Sequence, residues 1–148
     1  MKRIRYMSMD VKIQQEEGFL NVRVTGRFSL AEANKGLIQM FEAVARHRAA
    51  RVLVDCSDLQ GSITTMQNFD HATFAAEMIN EYSHRGVSMA TRFAYITVGA
   101  FSDPDKFAET VAVNRGLDVR TFDNADDALR WLEIDSATTE MLSRQINS

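Results

Sequence analysis

Cysteine occurs once in the 148 residues, as Cys56, and a lone cysteine excludes an internal disulfide framework. It also leaves no closed zinc set, because His47, His71 and His84 fall outside ligand spacing, so no metal is expected. A chain that needs no oxidising compartment is expected in a reducing cytoplasm. Glycine is scarce, at seven residues. The scatter of these glycines contains no Gly-x-Gly-x-x-Gly, no Gly-x-x-x-x-Gly-Lys and no Gly-x-Ser-x-Gly, so the usual cradles for dinucleotides and nucleoside triphosphates and the nucleophile elbow are missing. No cofactor is expected.

Long apolar runs are missing too. The most apolar window, residues 93–101, falls far short of the roughly 20 residues that span a bilayer. Lys2, Arg3 and Arg5 lead directly into Tyr6, Ser8, Asp10 and Lys12, with no apolar stretch behind them to form a signal peptide. Positive charge is not in excess: 17 basic against 20 acidic side chains give a net charge of −3, which disfavours a nucleic-acid footprint. Neither a membrane span nor a nucleic-acid partner is expected.

What remains is an ordinary globular composition, 45% hydrophobic and 25% charged. A chain of this length buries about two-thirds of its unfolded surface and needs no covalent staple. Charge is uneven, with nine basic and five acidic residues in 1–50 against eight and fifteen in 51–148. This arithmetic bears on association rather than on fold.

Residues 9–15 alternate apolar and polar, as do 19–25 beyond Glu16-Glu17-Gly18, which predicts a hairpin closed by Gly26. Ser29 and Glu32 have capping-box spacing. The helix they open places Ala33, Leu37, Met40, Phe41 and Val44 on one face and His47 and Arg48 near its end. Residues 51–55 form a continuously apolar strand of the kind buried on both faces of a parallel sheet. After a polar loop, Thr64 or Thr65 caps a second helix with Met66, Phe69, Thr73, Ala76 and Ile79 at helical spacing, ending by Arg85-Gly86. A strand over 93–98 follows, then a helix capped by Ser102-Asp103-Pro104 and stopped by Gly116. A strand over 119–122 leads to a helix capped by Asp123, on which Trp131 anchors against the sheet. The order implies an α/β domain: a sheet of about five strands, mostly parallel, with an N-terminal antiparallel hairpin and about four helices. The domain is expected over residues 9–134, with a basic segment at 1–8 and a polar tail or helical appendage at 135–148.

Three stretches carry a likeness. They are Val24-Thr-Gly-Arg-Phe-Ser29, Arg51-Val-Leu-Val-Asp-Cys-Ser-Asp-Leu-Gln-Gly61, and the segment from Arg115-Gly-Leu-Asp through Ala128-Leu-Arg-Trp-Leu132. In their order and spacing they resemble the STAS superfamily, and more closely its SpoIIAA-like branch of small bacterial proteins, over roughly residues 10–133. The resemblance implies a regulatory, protein-binding module. In the superfamily's antagonist proteins, the loop after the central strand and the next helix start bind a partner kinase or regulator. They carry a phosphorylatable serine in an Asp-Ser-Ser-Gly-like sequence. The corresponding residues here are Ile63-Thr64-Thr65-Met66. The aspartate and glycine of that signature are absent, and Thr64 and Thr65 supply the hydroxyls of a candidate phosphoacceptor.

The candidate binding surface is therefore Asp55, Ser57, Asp58, Ser62, Thr64 and Thr65, flanked by Ser102 and Asp103. Ligands of open α/β sheets meet the loops beyond the carboxyl ends of the strands, and a helix start accommodates negative charge. The same residue types are also ordinary turn and cap formers. Cys56 reads as packing rather than as a nucleophile, since no motif supplies a base, and Asp70-His71 reads as a surface pair whose members point to different faces. No catalytic residue is assigned and no enzymatic activity is expected. The leading expectation is a non-enzymatic module whose partner is another protein, with a homo-oligomer left open. The alternative is a carrier or sensor of a small apolar or anionic molecule held between helix and sheet, with Met40, Phe41, Phe69 or Phe74 in its lining.

Overall fold

A computed structural model describes residues 8–85, 90–102, 107–114 and 116–134. Five strands, β1 (Asp10–Glu16), β2 (Phe19–Arg27), β3 (Arg51–Gln60), β4 (Arg92–Ile96) and β5 (Asp118–Phe122), form one sheet in sequence order. β1 pairs antiparallel to β2 and every other pair is parallel. Four helices, α1 (Leu30–His47), α2 (Thr65–Tyr82), α3 (Phe107–Asn114) and α4 (Ala125–Trp131), pack on the sheet, with short 3₁₀ turns at Ser83–Arg85 and Gly99–Phe101. This is the α/β architecture expected from the alternation of patterns.

The sheet separates two cores. Leu20, Val22, Val52, Val54 and Phe93 face α1 and α2 on one side. Phe19, Leu53, Ala94 and Ile96 face Ala128, Leu129 and Leu132 of the α4 segment on the other. Residues 52–56 of β3 are all buried, which is why that strand reads as an unbroken apolar run. Phe41 is 1% exposed and joins the layers, its ring 5.7 Å from Tyr82 of α2 and 5.9 Å from Phe93 of β4. On α4, Trp131 packs against Phe122 of β5 at 5.8 Å and lies under the guanidinium groups of Arg92 and Arg120. It anchors the helix to the sheet, as expected.

Several local expectations change. Gly26 does not close β2: the strand continues to Arg27, with Gly26 paired to Leu59 at φ +88°. A side chain there would collide with the Ser8 carbonyl, so the glycine admits a close backbone approach. β3 continues to Gln60, taking up half of the expected polar loop, because β2 offers it a partner beyond the end of β4. On α2 the buried stripe is Ala72, Ala75, Ala76, Ile79 and Tyr82, while Met66 and Phe69 are 67% and 46% exposed. Ala76 and Ile79 of the expected stripe are buried as its spacing predicts, and the small Ala72 and Ala75 rather than Met66 and Phe69 continue it inward, where α2 packs on α1 and α3. The α4 cap is Asn124, whose side chain accepts from the Asp127 N–H at 2.9 Å, with Asp123 accepting from the Asn124 amide. At α1 the serine half of the capping box is made, from the Glu32 N–H to Ser29 Oγ, while the Glu32 carboxylate faces Lys35. Gly86, Asp103, Pro104 and the tail from Ser136 lie outside the described residues.

Because Phe41 touches both α2 and the sheet, Phe41→Ala is expected to lower the unfolding free energy by about 3–5 kcal/mol. Urea denaturation followed by far-UV circular dichroism checks this, and a loss below about 1 kcal/mol would contradict the central place given to Phe41.

Candidate functional site

Near the carboxyl end of the sheet β3 carries a bulge. Arg23 pairs with Asp55 and Thr25 with Asp58, so one residue of β2 stands opposite two of β3, Cys56 and Ser57. Beyond the bulge the side chains alternate again: Asp58 joins Arg23 on the α4 side of the sheet, and Leu59 points to the α1 and α2 side, where it lines a cavity. Asp58 Oδ2 accepts from Arg23 Nη2 at 2.6 Å. This exposed ion pair contributes at most about 1 kcal/mol. Asp55 is only 3% exposed, and its Oδ1 accepts from both the backbone N–H (2.9 Å) and the hydroxyl (2.6 Å) of Ser57. That local bond satisfies a carboxylate placed at the edge of the core.

The other expected residues sit at the start of α2. Thr64 and Gln67 close a reciprocal box: Thr64 Oγ1 accepts from the Gln67 N–H at 3.1 Å, and Gln67 Oε1 accepts from the Thr64 N–H at 2.9 Å. Thr64 is thus the cap, and its hydroxyl oxygen is engaged. Thr65 occupies the first helical position, exposed, and Ser62 is exposed just before it. The first turn of α2 contains no acidic residue, which suits added negative charge. Ser102 ends the 3₁₀ turn, donating its N–H to the Gly99 carbonyl, and Asp103 lies outside the described residues. Phe101 of that turn packs on Phe28 at 5.8 Å, and Phe28 N–H bonds to the Gln60 carbonyl, so the loops after β2, β3 and β4 meet. Asp55, Ser57 and Asp58 therefore gather along β3, while Ser62, Thr64 and Thr65 gather at the helix start.

Between the sheet and helices α1 to α3 lies a cavity of about 190 Å³. Its walls include Val22, Val54 and Phe93 from the sheet, Leu37, Met40 and Phe41 from α1, and Ala72 and Ala75 from α2, with Phe28, Ile63 and Phe101 at the carboxyl end. Met40 and Phe41 take the lining places expected of them; Phe69 and Phe74 are not in the lining.

Sequence reasoning passed over the cavity's polar groups. His71 is turned inward rather than lying at the surface: it lines the cavity, Nδ1 is 2.8 Å from Asn34 Oδ1, and burial lowers its pKa. Tyr95 of β4 also lines the cavity, its pKa raised by burial and then by neighbouring Cys56. Cys56 is buried, and burial, followed by the Asp55 charge, pushes its thiol up to about 12. A tyrosine inside an otherwise apolar strand, 93–96, was the available signal for a polar group in the interior. Among the described residues no group of three or more histidine, cysteine or acidic side chains is placed to hold a metal. No described helix is long and apolar enough to cross a membrane.

The model of a family described as SpoIIAA-like matches residues 19–133, well over half of the chain. Among solved structures, an anti-sigma factor antagonist from Mycobacterium paratuberculosis superposes with a TM-score of 0.56 at 15% identity, covering 85% of this chain and 95% of that one. An uncharacterized protein with a SpoIIAA-like fold from Shewanella loihica PV-4 gives a TM-score of 0.49 at 18% identity, covering 84% and 94%. No curated protein matches the sequence.

A buried thiol with a pKa near 12 is a poor nucleophile at pH 8. Cys56 is expected to resist a thiol-labelling reagent in the folded protein and to react fully in denaturant. Fast stoichiometric labelling of the native chain would show that the strand end opens.

Proposed function

The chain belongs to the SpoIIAA-like family, and on that premise we propose that it is a non-enzymatic regulatory module of the cytoplasm that binds another protein. The binding surface is the carboxyl-end loop and the start of α2. One observation carries this reading: Met66 and Phe69, 67% and 46% exposed, stand in the first turns of α2 beside exposed Ser62 and Thr65. Large apolar side chains held in solvent next to free hydroxyls form a surface suited to protein recognition. The fold is shared with an anti-sigma factor antagonist, in keeping with a partner of that general kind. Negative charge added at Thr65 meets the positive end of the α2 dipole, so phosphorylation there alters the surface without opposing the helix. Thr64 is the weaker acceptor of the two candidates, because its oxygen caps the helix. Ser57, Asp58 and Ser102 flank this surface, buried Asp55 acts behind it by holding Ser57, and residues 9–134 form the working unit.

A second reading rests on the cavity. The apolar space between α1, α2 and the sheet supports a carrier or sensor of a small molecule, since ligand sites are concave, mostly apolar and furnished with a few polar groups.

For the first reading, the wild-type chain and a Ser62→Glu, Thr65→Glu double variant are used as baits against lysate of the source cells, with Glu17→Lys in the far hairpin turn as control. The double variant is expected to lose or exchange partners that the control retains, and identical partners for all three baits would sink the proposed surface. For the second, native mass spectrometry of gently purified protein is expected to reveal a bound small molecule; ligand-free protein in every preparation counts against it.

A further inference from the structure

Resting on the carrier or sensor reading, we infer that the cavity takes an electrically neutral, largely apolar molecule whose one hydroxyl or carbonyl group is met by the Tyr95 hydroxyl. Volume sets the first limit. About 190 Å³ is somewhat larger than apolar cavities known to hold a benzene ring, so the enclosed part of the ligand has on the order of ten non-hydrogen atoms.

Charge sets the second limit. No lysine or arginine is among the described residues that line the cavity. Burial disfavours the imidazolium form of His71, the one group among the described lining residues that could become a cation. The one carboxylate among the described lining residues, Glu109, accepts from the Thr121 N–H at 2.9 Å and the Thr121 hydroxyl at 3.2 Å. Among the described residues an anionic ligand would find no counter-charge and would lie near this acid, which is the costly way to bury a charge.

Tyr95 supplies the polar contact. It projects from β4 beside Val54 of β3, into a space walled mainly by aliphatic and aromatic groups, with Asn68, His71, Thr97, Glu109 and Thr121 as the other polar lining residues. No hydrogen bond is made by its hydroxyl among the described residues, and the side chain is half-buried and lines the cavity. A phenol held protonated in apolar surroundings can donate one hydrogen bond and accept another, so it fits a ligand hydroxyl or carbonyl equally well. A hydroxyl that faces the cavity is met by water when no ligand is present, and a ligand that takes over that hydrogen bond while its apolar part fills the space also gains the burial of its apolar surface.

The test compares octanol, octanoate and octane, added separately to the full chain at neutral pH, with binding read from amide and methyl NMR shifts of Val54, Ala75 and Tyr95. Octanol is expected to shift these resonances and octanoate to leave them unchanged. Tyr95→Phe keeps the ring and is expected to weaken octanol about fivefold, the worth of one hydrogen bond, with octane unaffected. Ala75→Leu fills the space and is expected to abolish both; should that variant fail to fold, Tyr95→Phe decides. Octanoate binding as tightly as octanol would overturn the neutral ligand and leave the carrier reading standing. Equal octanol binding by wild type and Tyr95→Phe would overturn the role of the hydroxyl. No shifts with any of the three would overturn both the inference and the carrier reading.

Discussion

Strand β3 is hydrogen-bonded along both edges and covered on both faces, and the arrangement of the molecule follows from that constraint. Val52 and Val54 look toward α1 and α2, and Leu53 looks toward α4. A shift of register by one residue would exchange these faces and send each side chain into the wrong core, so the pairing with β2 and β4 is strongly fixed. The bulge at Cys56 and Ser57 comes only after this doubly covered stretch has ended. There the chain resets its alternation, directing Leu59 inward and Asp58 toward Arg23, before turning to start α2.

The cavity arises from small residues rather than from missing elements. α1 presents Ala33 and Gly36, and α2 presents Ala72 and Ala75, toward the same space. Gly36 has a second reason to be small, because a Cβ there would press on Val11 of β1. The helices can therefore approach the sheet at their flanks while the space between them stays unfilled. Its carboxyl-end rim is built from Phe28, Ile63 and Phe101, which belong to the same loops that frame the start of α2. The proposed protein-binding surface and the proposed ligand site are neighbours through these loops.

Much of the fold was legible because its signals are local. The alternation in 10–16 and 19–25, the α1 stripe of Leu37, Met40, Phe41 and Val44, and the apolar run 52–55 each report one period and one environment. The length of β3 was not legible: Ser57, Asp58 and Gln60 have loop-like side chains, and only pairing with β2 makes them strand. Nor could periodicity tell which residues continue the α2 stripe inward, since Met66 and Phe69 keep helical spacing and yet face solvent. The candidate site was legible in part. Turn and cap chemistry located Thr64 and the residues around it, but nothing in the spacing of His71 or Tyr95 showed that they share a cavity with Cys56.

The sequence by itself determined the class of fold, the order of its elements, the face of α1 that is buried and the absence of the familiar phosphate, metal and nucleophile motifs, because each depends on residues close together in the chain. Tertiary structure decided which residues continue the α2 stripe inward, where β3 ends, and that Asp58 meets Arg23 while Thr64 and Thr65 stand apart from Asp55. It also decided that the interior contains a cavity at all. Burial, charge environment and empty volume are properties of residues far apart in the chain and adjacent in space, and no local period encodes them.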